Sequence, residues 1–212
     1  MNQALDLGSV RSGFENPSLD AQLVFRRVLD AMARPGTVAD LSFAPQPPEG
    51  LCRALGAVAL TLLDFETPLW LDPALRGGEV ETWLRFHCGC PLVAATDEAA
   101  FALVVDAGAL PALDAFALGD ARYPDRSTTV LVQLPALAGG PGQRLEGPGI
   151  DGSVDVAPAG LPEEFWGHVA RNGARFQVGV DLMLAAEDEL LGLPRTVRPV
   201  QDAKNPDQQE GR

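Results

Sequence analysis

The chemistry that this chain could perform is limited first by a shortage of lysine. Lys204 is the single lysine among 212 residues, and it lies in the polar segment from Gln201 to Arg212. A pyridoxal phosphate enzyme needs a lysine amine for its Schiff base, and a P-loop needs a lysine beside its glycines to reach the phosphates. The sequence therefore predicts neither kind of site in the folded part of the chain, and no cofactor is expected.

Arginine supplies the remaining positive charge. Its planar guanidinium holds phosphate or carboxylate through two parallel hydrogen bonds, but it does not deprotonate and so makes a poor base or nucleophile. Arg26 and Arg34 flank Asp30 at helical i, i+4 spacing, which is also typical of a solvated ladder of ion pairs. The candidate ligand-binding residues are Arg26, Arg34, Arg85, His87 and Arg195. No catalytic residue can be assigned.

One imidazole and two thiols are gathered within four positions, at His87, Cys88 and Cys90. Zinc accepts such atoms, but a structural site needs four ligands, usually with wider cysteine spacing and a second cluster elsewhere. The pattern is more typical of a helix that ends at His87, with Gly89 after it and Pro91 preventing its continuation. No metal is expected.

Two further motifs have a chemical and a structural interpretation. The carboxylates of Asp64 and Glu66 could bind Mg²⁺ beside a nucleotide, although capping and turn formation are favoured. The run Gly147-Pro148-Gly149-Ile150 could suggest a phosphate loop. Because Pro148 removes a backbone N–H that an anion nest would use, the run predicts a tight turn instead.

Composition limits the possible partners. Sixteen basic and twenty-nine acidic residues give a formal charge of −13, which disfavours nucleic acid and anionic membrane surfaces. Residues 1–7 lack the features of a signal peptide, and no apolar run approaches a membrane span, so a cytoplasmic location is expected. The three cysteines, which include Cys52, are expected to be reduced thiols.

The hydrophobic pattern predicts one α/β domain over residues 1–200, followed by a disordered tail over residues 201–212. Asn16-Pro17 begins a helix with Phe25, Val28, Leu29 and Met32 on one face, and Arg34-Pro35-Gly36 ends it. Further helices are predicted over residues 51–63, 79–86, 110–116 and 162–171, and strands over residues 68–71, 101–105, 128–134, 178–184 and 190–193. The last two strands pair around residues 187–189, so the sheet is expected to be mixed.

Several segments, in order, resemble the H subunits of the bacterial carbon-phosphorus lyase core complex. They cover most of the chain from about residue 16 to residue 196, and the ordered set is specific although each piece alone is weak. The segments are Phe25 to Gly36, Leu62-Leu63-Asp64, Thr67 to Leu71, Arg85-Phe86-His87, Gly147 to Ile150, Gly179 to Leu182 with Leu184, and Pro194-Arg195-Thr196.

The resemblance implies a three-layer α/β/α sandwich like the pyridoxal phosphate-dependent transferase fold, without its cofactor or its lysine. It also implies a homodimer when the chain is alone, and assembly with the G, I and J subunits and possibly K and L. With its G, I and L partners, such a subunit is required to move ribose triphosphate from ATP onto an alkylphosphonate while displacing adenine. Cys88 and Cys90 differ from the residues that members of this family carry at those positions.

Three functions remain open at this point. The first is a subunit of the phosphonate machinery that is not catalytic by itself, and this is favoured. The second is a free-standing hydrolase or transferase that uses His87 with Asp64 or Glu66. The third is a module that binds a phosphorylated ligand through the candidate arginines, which is compatible with the first.

Overall fold

The computed structural model describes residues 10–200, whose strands form a seven-stranded sheet and a separate three-stranded sheet. The order in the large sheet is β1-β9-β8-β5-β4-β2-β3, and in the small sheet β10-β6-β7. The strands are β1 (Val38–Asp40), β2 (Leu69–Leu71), β3 (Leu92–Val93), β4 (Phe101–Val104), β5 (Thr129–Gln133), β6 (Gln143–Glu146), β7 (Val154–Val156), β8 (Asp181–Ala186), β9 (Glu189–Leu193) and β10 (Arg198–Pro199).

The large sheet is mixed, as the sequence predicted. Strands β3, β2, β4, β5 and β8 run parallel, whereas β8, β9 and β1 are antiparallel neighbours. The β8–β9 hairpin pairs Leu184 with Leu191 and turns at Glu187, whose φ of 47° lies in the left-handed region. The predicted pairing around residues 187–189 is therefore confirmed.

The large sheet is buried on both faces, and successive residues of a strand enter different cores. In β5, Leu131 packs on one side while Val130 and Val132 pack on the other. The first side is covered by three helices: α1 (Pro17–Ala33), α2 (Arg53–Leu62) and α3 (Glu79–His87). The second side is covered by α4 (Phe165–Gly173), the small sheet and short 3₁₀ turns. The expected second helical layer is thus partly a sheet.

Helix α1 begins where the sequence predicted, with the Asn16 side chain accepting a hydrogen bond from the Leu19 N–H. The four apolar residues predicted on one face of α1 are not buried together: Val28 is buried, but Phe25 and Leu29 are 44% and 52% exposed. The reason is close backbone packing, since a Cβ at Gly192 of β9 would stand 2.5 Å from the Ala31 carbonyl oxygen of α1. Val24, Val28 and Ala31 of α1 pack in the core beside the sheet, and the larger Phe25 and Leu29 are exposed.

Other predictions differ from the structure in detail. The helix expected over residues 110–116 is wrong, because only the 3₁₀ turn Leu113–Ala115 forms there, after Pro111. Helix α4 begins at Phe165, three residues after the predicted proline. The sequence analysis missed the short strands β1, β3, β6, β7 and β10. The tail from residue 201, with Lys204, lies outside the described residues. Within residues 10–200 no helix is both long and apolar enough to cross a membrane.

Candidate functional site

His87 lies at the end of α3, as predicted, and its ring contacts the segment that precedes α1. Its Nε2 is 2.9 Å from the Arg11 carbonyl oxygen, and the Trp83 Nε1–H donates to the same oxygen at 3.1 Å. Because a carbonyl oxygen only accepts hydrogen bonds, Nε2 donates in this contact. The imidazole and the indole together therefore hold the backbone carbonyl group of Arg11 in place.

The thiols near His87 are directed elsewhere. Cys88 donates weakly to the Ala59 carbonyl oxygen of α2, and Cys90 is buried. Burial raises the pKa of the Cys88 thiol to about 12, and it also raises the pKa of Cys90. Both thiols are therefore protonated at neutral pH and poorly suited to act as nucleophiles. Among residues 10–200, no three His, Cys, Asp or Glu side chains are grouped to hold a metal ion.

The carboxylate of Asp64 stabilises a turn between α2 and β2. Its Oδ1 accepts a hydrogen bond from the Glu66 N–H at 2.9 Å, and the Thr67 hydroxyl donates to the Asp64 carbonyl oxygen at 2.9 Å. The favoured interpretation of this motif as a turn is confirmed, and the Glu66 side chain is exposed.

The candidate arginines of the helices lie at the surface. Arg34 pairs with Asp30 at 3.1 Å, and Arg85 pairs with Glu81 at 3.2 Å, both at i, i+4 spacing. Arg26 is exposed on α1. Exposed pairs of this kind contribute little to stability, so these side chains could exchange a partner for a ligand at low cost.

Arg195 differs from the other candidates because its guanidinium is enclosed by protein acceptors. It pairs with both oxygens of Asp181, the first residue of β8, and it donates to the Ser127 hydroxyl at 2.6 Å and to the Pro124 carbonyl oxygen at 2.8 Å. Its side chain is only 13% exposed. This arginine joins the start of β8 to the loop before β5.

Three of the sequence segments that carry the resemblance meet in space. A Cβ at Gly149 would collide with the Ala33 carbonyl oxygen and would stand 3.1 Å from Pro35 Cδ, while a Cβ at Gly147 would stand 2.9 Å from the Thr196 carbonyl oxygen. The turn over residues 147–150 is therefore packed between the end of α1 and the segment after β9. It brings the segments of Arg34 and Arg195 to the same turn, which the sequence alone did not indicate.

The carboxyl ends of β4 and β5 border a cleft of about 420 Å³, the usual place for ligands in open parallel sheets. It is lined by Cys52, Val105, Asp106, Ala107, Gln133, Leu134, Pro135, Gly160 and Glu187. Gln133 accepts from the Cys52 N–H at 2.7 Å and donates to the Gly50 carbonyl oxygen, so it connects β5 to the start of α2.

The charges of this cleft at the carboxyl edge disfavour anions, because its charged lining residues are Asp106 and Glu187. Such a lining suits hydroxyl or ammonium groups. Burial raises the pKa of the Cys52 thiol to about 11, so a thiolate is not available there at neutral pH. The sequence analysis did not assign the residues of this cleft to a site. The position of several of them at or just after the predicted strands could have indicated it.

The comparisons with known proteins agree with the sequence segments. The family described as bacterial phosphonate metabolism protein (PhnH) matches residues 12–200. This chain belongs to the PhnH family. A PhnH relative, the alpha-D-ribose 1-methylphosphonate 5-triphosphate synthase subunit PhnH of Rhizobium meliloti (strain 1021), is 46% identical over 87% of this chain and 92% of its own length. The putative C-P lyase subunit protein HtxG of Stutzerimonas stutzeri is 31% identical over 82% of this chain and 83% of its own length.

Proposed function

We propose that this PhnH-family chain is a subunit of alpha-D-ribose 1-methylphosphonate 5-triphosphate synthase in the carbon-phosphorus lyase machinery of phosphonate catabolism. The observation that carries the proposal is the 46% identity to a subunit of that name across 92% of the relative's length. A likeness over nearly the whole of both chains supports a shared role better than a shared motif would.

The finer parts of the proposal come from the family resemblance. With its G, I and L partners the chain would take part in moving ribose triphosphate from ATP to an alkylphosphonate, and it would assemble with G, I and J and possibly with K and L. Alone it would be a homodimer, located in the cytoplasm. Its residues 1–200 would form one domain related to the pyridoxal phosphate-dependent transferase fold without that cofactor.

The chemistry of the candidate groups supports a subunit that is not catalytic by itself. The His87 Nε2 is engaged with the Arg11 carbonyl oxygen, so an imidazole general base would first have to leave that contact. The raised pKa values of Cys52 and Cys88 leave both thiols protonated at neutral pH. The contact of His87 with Arg11 disfavours the free-standing enzyme that would use His87 with Asp64 or Glu66.

The ligand-binding role of Arg26, Arg34, Arg85, His87 and Arg195 remains a prediction. Replacing Arg34 or Arg85 by lysine keeps the charge but removes the planar fork, so either change should weaken the binding of a phosphorylated ligand. Unchanged affinity in both variants would leave these side chains as surface ion pairs.

The subunit proposal is tested by co-expression with the G, I and J subunits, followed by size-exclusion chromatography at moderate salt. Subunits of permanent complexes bury on the order of 2,000 Å² or more, so one stable particle is expected to elute. Omitting this chain should abolish the formation of ribose 1-methylphosphonate 5-triphosphate by the assembled system, and adding it back should restore it. Elution apart from the partners, or turnover of ATP and methylphosphonate by the chain alone, would contradict the proposal.

A further inference from the structure

A second, smaller cleft lies beside the C-terminal half of α4, and none of the candidate residues of the sequence analysis lines it. Its volume is about 150 Å³, below the usual range for sites that enclose a whole cofactor or nucleotide. It is lined by Ala112, Leu113, Asp114, His168, Arg171, Asn172 and Arg175. The space suits a small ion, or one charged group of a larger molecule.

Three nitrogen-bearing side chains line this cleft. His168 and Arg171 are three residues apart on α4, and Arg175 follows four residues later, just beyond the helix. The spacing of His168 and Arg171 places both on one face of α4, whereas Arg175 reaches the cleft from the turn that follows the helix. Arginine and histidine side chains are thus gathered around one cavity, although the whole chain has a formal charge of −13.

The single acidic residue in the lining neutralises only one of the two arginines. Arg175 pairs with Asp114 at 3.1 Å, and the Asp114 side chain is 57% exposed. In the part of the chain that the structure describes, Arg171 has no carboxylate partner; its guanidinium instead turns back over Gly167, where a Cβ would stand 3.4 Å from Nη1. Glu164, the N-cap residue of α4, does not line the cleft. The local charge is positive.

The wall that carries these side chains is held in place by Asn172, which is 4% exposed. Its Nδ2 donates to the Val180 carbonyl oxygen at 2.8 Å, and its Oδ1 accepts from the Val180 N–H at 2.9 Å. A Cβ at Gly179 would stand 2.7 Å from the Asn172 Oδ1, so a glycine is required there. The end of α4 is thereby tied to the segment that leads into β8, which fixes the backbone of this wall of the cleft.

We propose that this cleft is a binding site for a tetrahedral oxyanion, the phosphate or phosphonate group, with Arg171, Arg175 and His168 as its donors. A planar carboxylate is satisfied by one guanidinium fork, whereas a tetrahedral oxyanion presents oxygens in several directions and matches donors that converge from several positions. The anion displaces Asp114 from Arg175 or shares that guanidinium with it. The inference concerns the chain by itself and does not rest on the proposed function.

The test is isothermal titration of the purified full-length chain with inorganic phosphate and with methylphosphonate, at constant ionic strength set by chloride. Constant ionic strength removes screening as a cause of any difference. Saturable binding is expected for both anions, and Arg171→Gln should raise the Kd about tenfold or more, the usual scale for a lost hydrogen bond between charged groups. Asp114→Asn should lower the Kd at least about twofold, because it removes the carboxylate that competes with the anion.

Arg27→Gln is the matched control, since Arg27 is an exposed helical arginine on α1, away from the cleft. It should leave the Kd within about twofold of the original. Thermal unfolding of each variant identifies a change that only destabilises the fold, and Arg171→Lys, which keeps the charge, should fall between the original and Arg171→Gln. Equal affinity for acetate and phosphate, or an unchanged Kd in Arg171→Gln, would overturn the proposal. Failure of the chain to join the phosphonate partners would not affect this result.

Discussion

Arg195 and Asp181 are bound to each other through both the main chain and the side chains. The Asp181 Oδ1 accepts the Arg195 backbone N–H at 2.8 Å and its Nε–H at 3.2 Å, and Oδ2 accepts from Nη2. Asp181 opens β8, and Arg195 lies two residues beyond β9. The pair therefore closes the base of the β8–β9 hairpin at the end opposite to its turn.

Arg195→Lys should lower the free energy of unfolding by about 2 kcal/mol, because an ammonium cannot reproduce the several hydrogen bonds of the fork in a half-buried site. Chemical denaturation of the purified chain measures this loss. The control is Arg34→Lys, which alters an exposed pair with Asp30 and should cost less than about 0.5 kcal/mol. Equal losses in the two variants would show that the enclosure of Arg195 does not matter.

His87→Ala should lower stability by about 1 kcal/mol and release the segment before α1, since it removes a hydrogen bond to Arg11 and ring contacts with Trp83. Thermal unfolding measures the first effect, and amide hydrogen exchange over residues 10–16 measures the second. Trp83→Phe removes the other donor to the same carbonyl oxygen and should increase exchange in the same segment. A His87→Ala chain with unchanged unfolding but an inactive complex would instead indicate a functional imidazole.

The cysteines should react slowly with Ellman's reagent at pH 8 in the folded chain and quickly in denaturant. The cause is burial, which raises the pKa of Cys52 to about 11 and that of Cys88 to about 12, compared with about 8.5 for an unfolded thiol. A fast native reaction at pH 8 would contradict the burial of the thiols.

The same pKa shifts give stability a defined pH dependence. A raised pKa means that the folded chain keeps protons which the unfolded chain has already released, so this contribution is complete below about pH 8.5 and is lost as the pH rises through about 11. The melting temperature should fall across that range, and Cys52→Ala should reduce the slope. An unchanged slope in Cys52→Ala would exclude this thiol as a cause.

Asp72→Ala should be among the more damaging single changes, costing about 3 kcal/mol of unfolding free energy. Asp72 is 4% exposed, and its carboxylate accepts backbone N–H groups of Ala74, Val105 and Asp106, which joins the ends of β2 and β4. Removing it takes the acceptor from all three N–H donors and breaks the link between the two strands. Chemical denaturation measures the loss, and Asp106→Ala, an exposed carboxylate beside it, serves as the control. Comparable stability of the two variants would contradict this account.

Most helices and the longer strands could be predicted from the sequence because the residues that define each of them are close together in the chain. Asn16-Pro17 and the apolar run before Leu63 predicted α1 and α2, and the turn at residues 187–189 predicted the β8–β9 hairpin. The same holds for the end of α3 and for the turn at Asp64, where the decisive hydrogen bonds join residues two to four positions apart. The family resemblance, carried by ordered segments, was also legible without a structure.

Tertiary contacts decided which face of α1 is buried and where the short strands form. The inward face of α1 depended on how closely β9 approaches, and that distance is set by Gly192, about 160 positions along the chain. The sequence analysis missed the strands β1 and β3 because they are too short to show a periodic pattern. They form through pairing with β9 and β2.

The sequence by itself determined the classes of side chain available: one lysine outside the described residues, arginine as the main cation, and few groups able to act as nucleophiles. Only the tertiary structure decided which of them meet. It enclosed Arg195 with Asp181, and it gathered Arg171 and Arg175 around a cleft with His168, which had no neighbouring motif in the sequence. The physical reason is that helical spacing places side chains on one face, but the packing of that face against a distant loop at Asp114 creates the cavity.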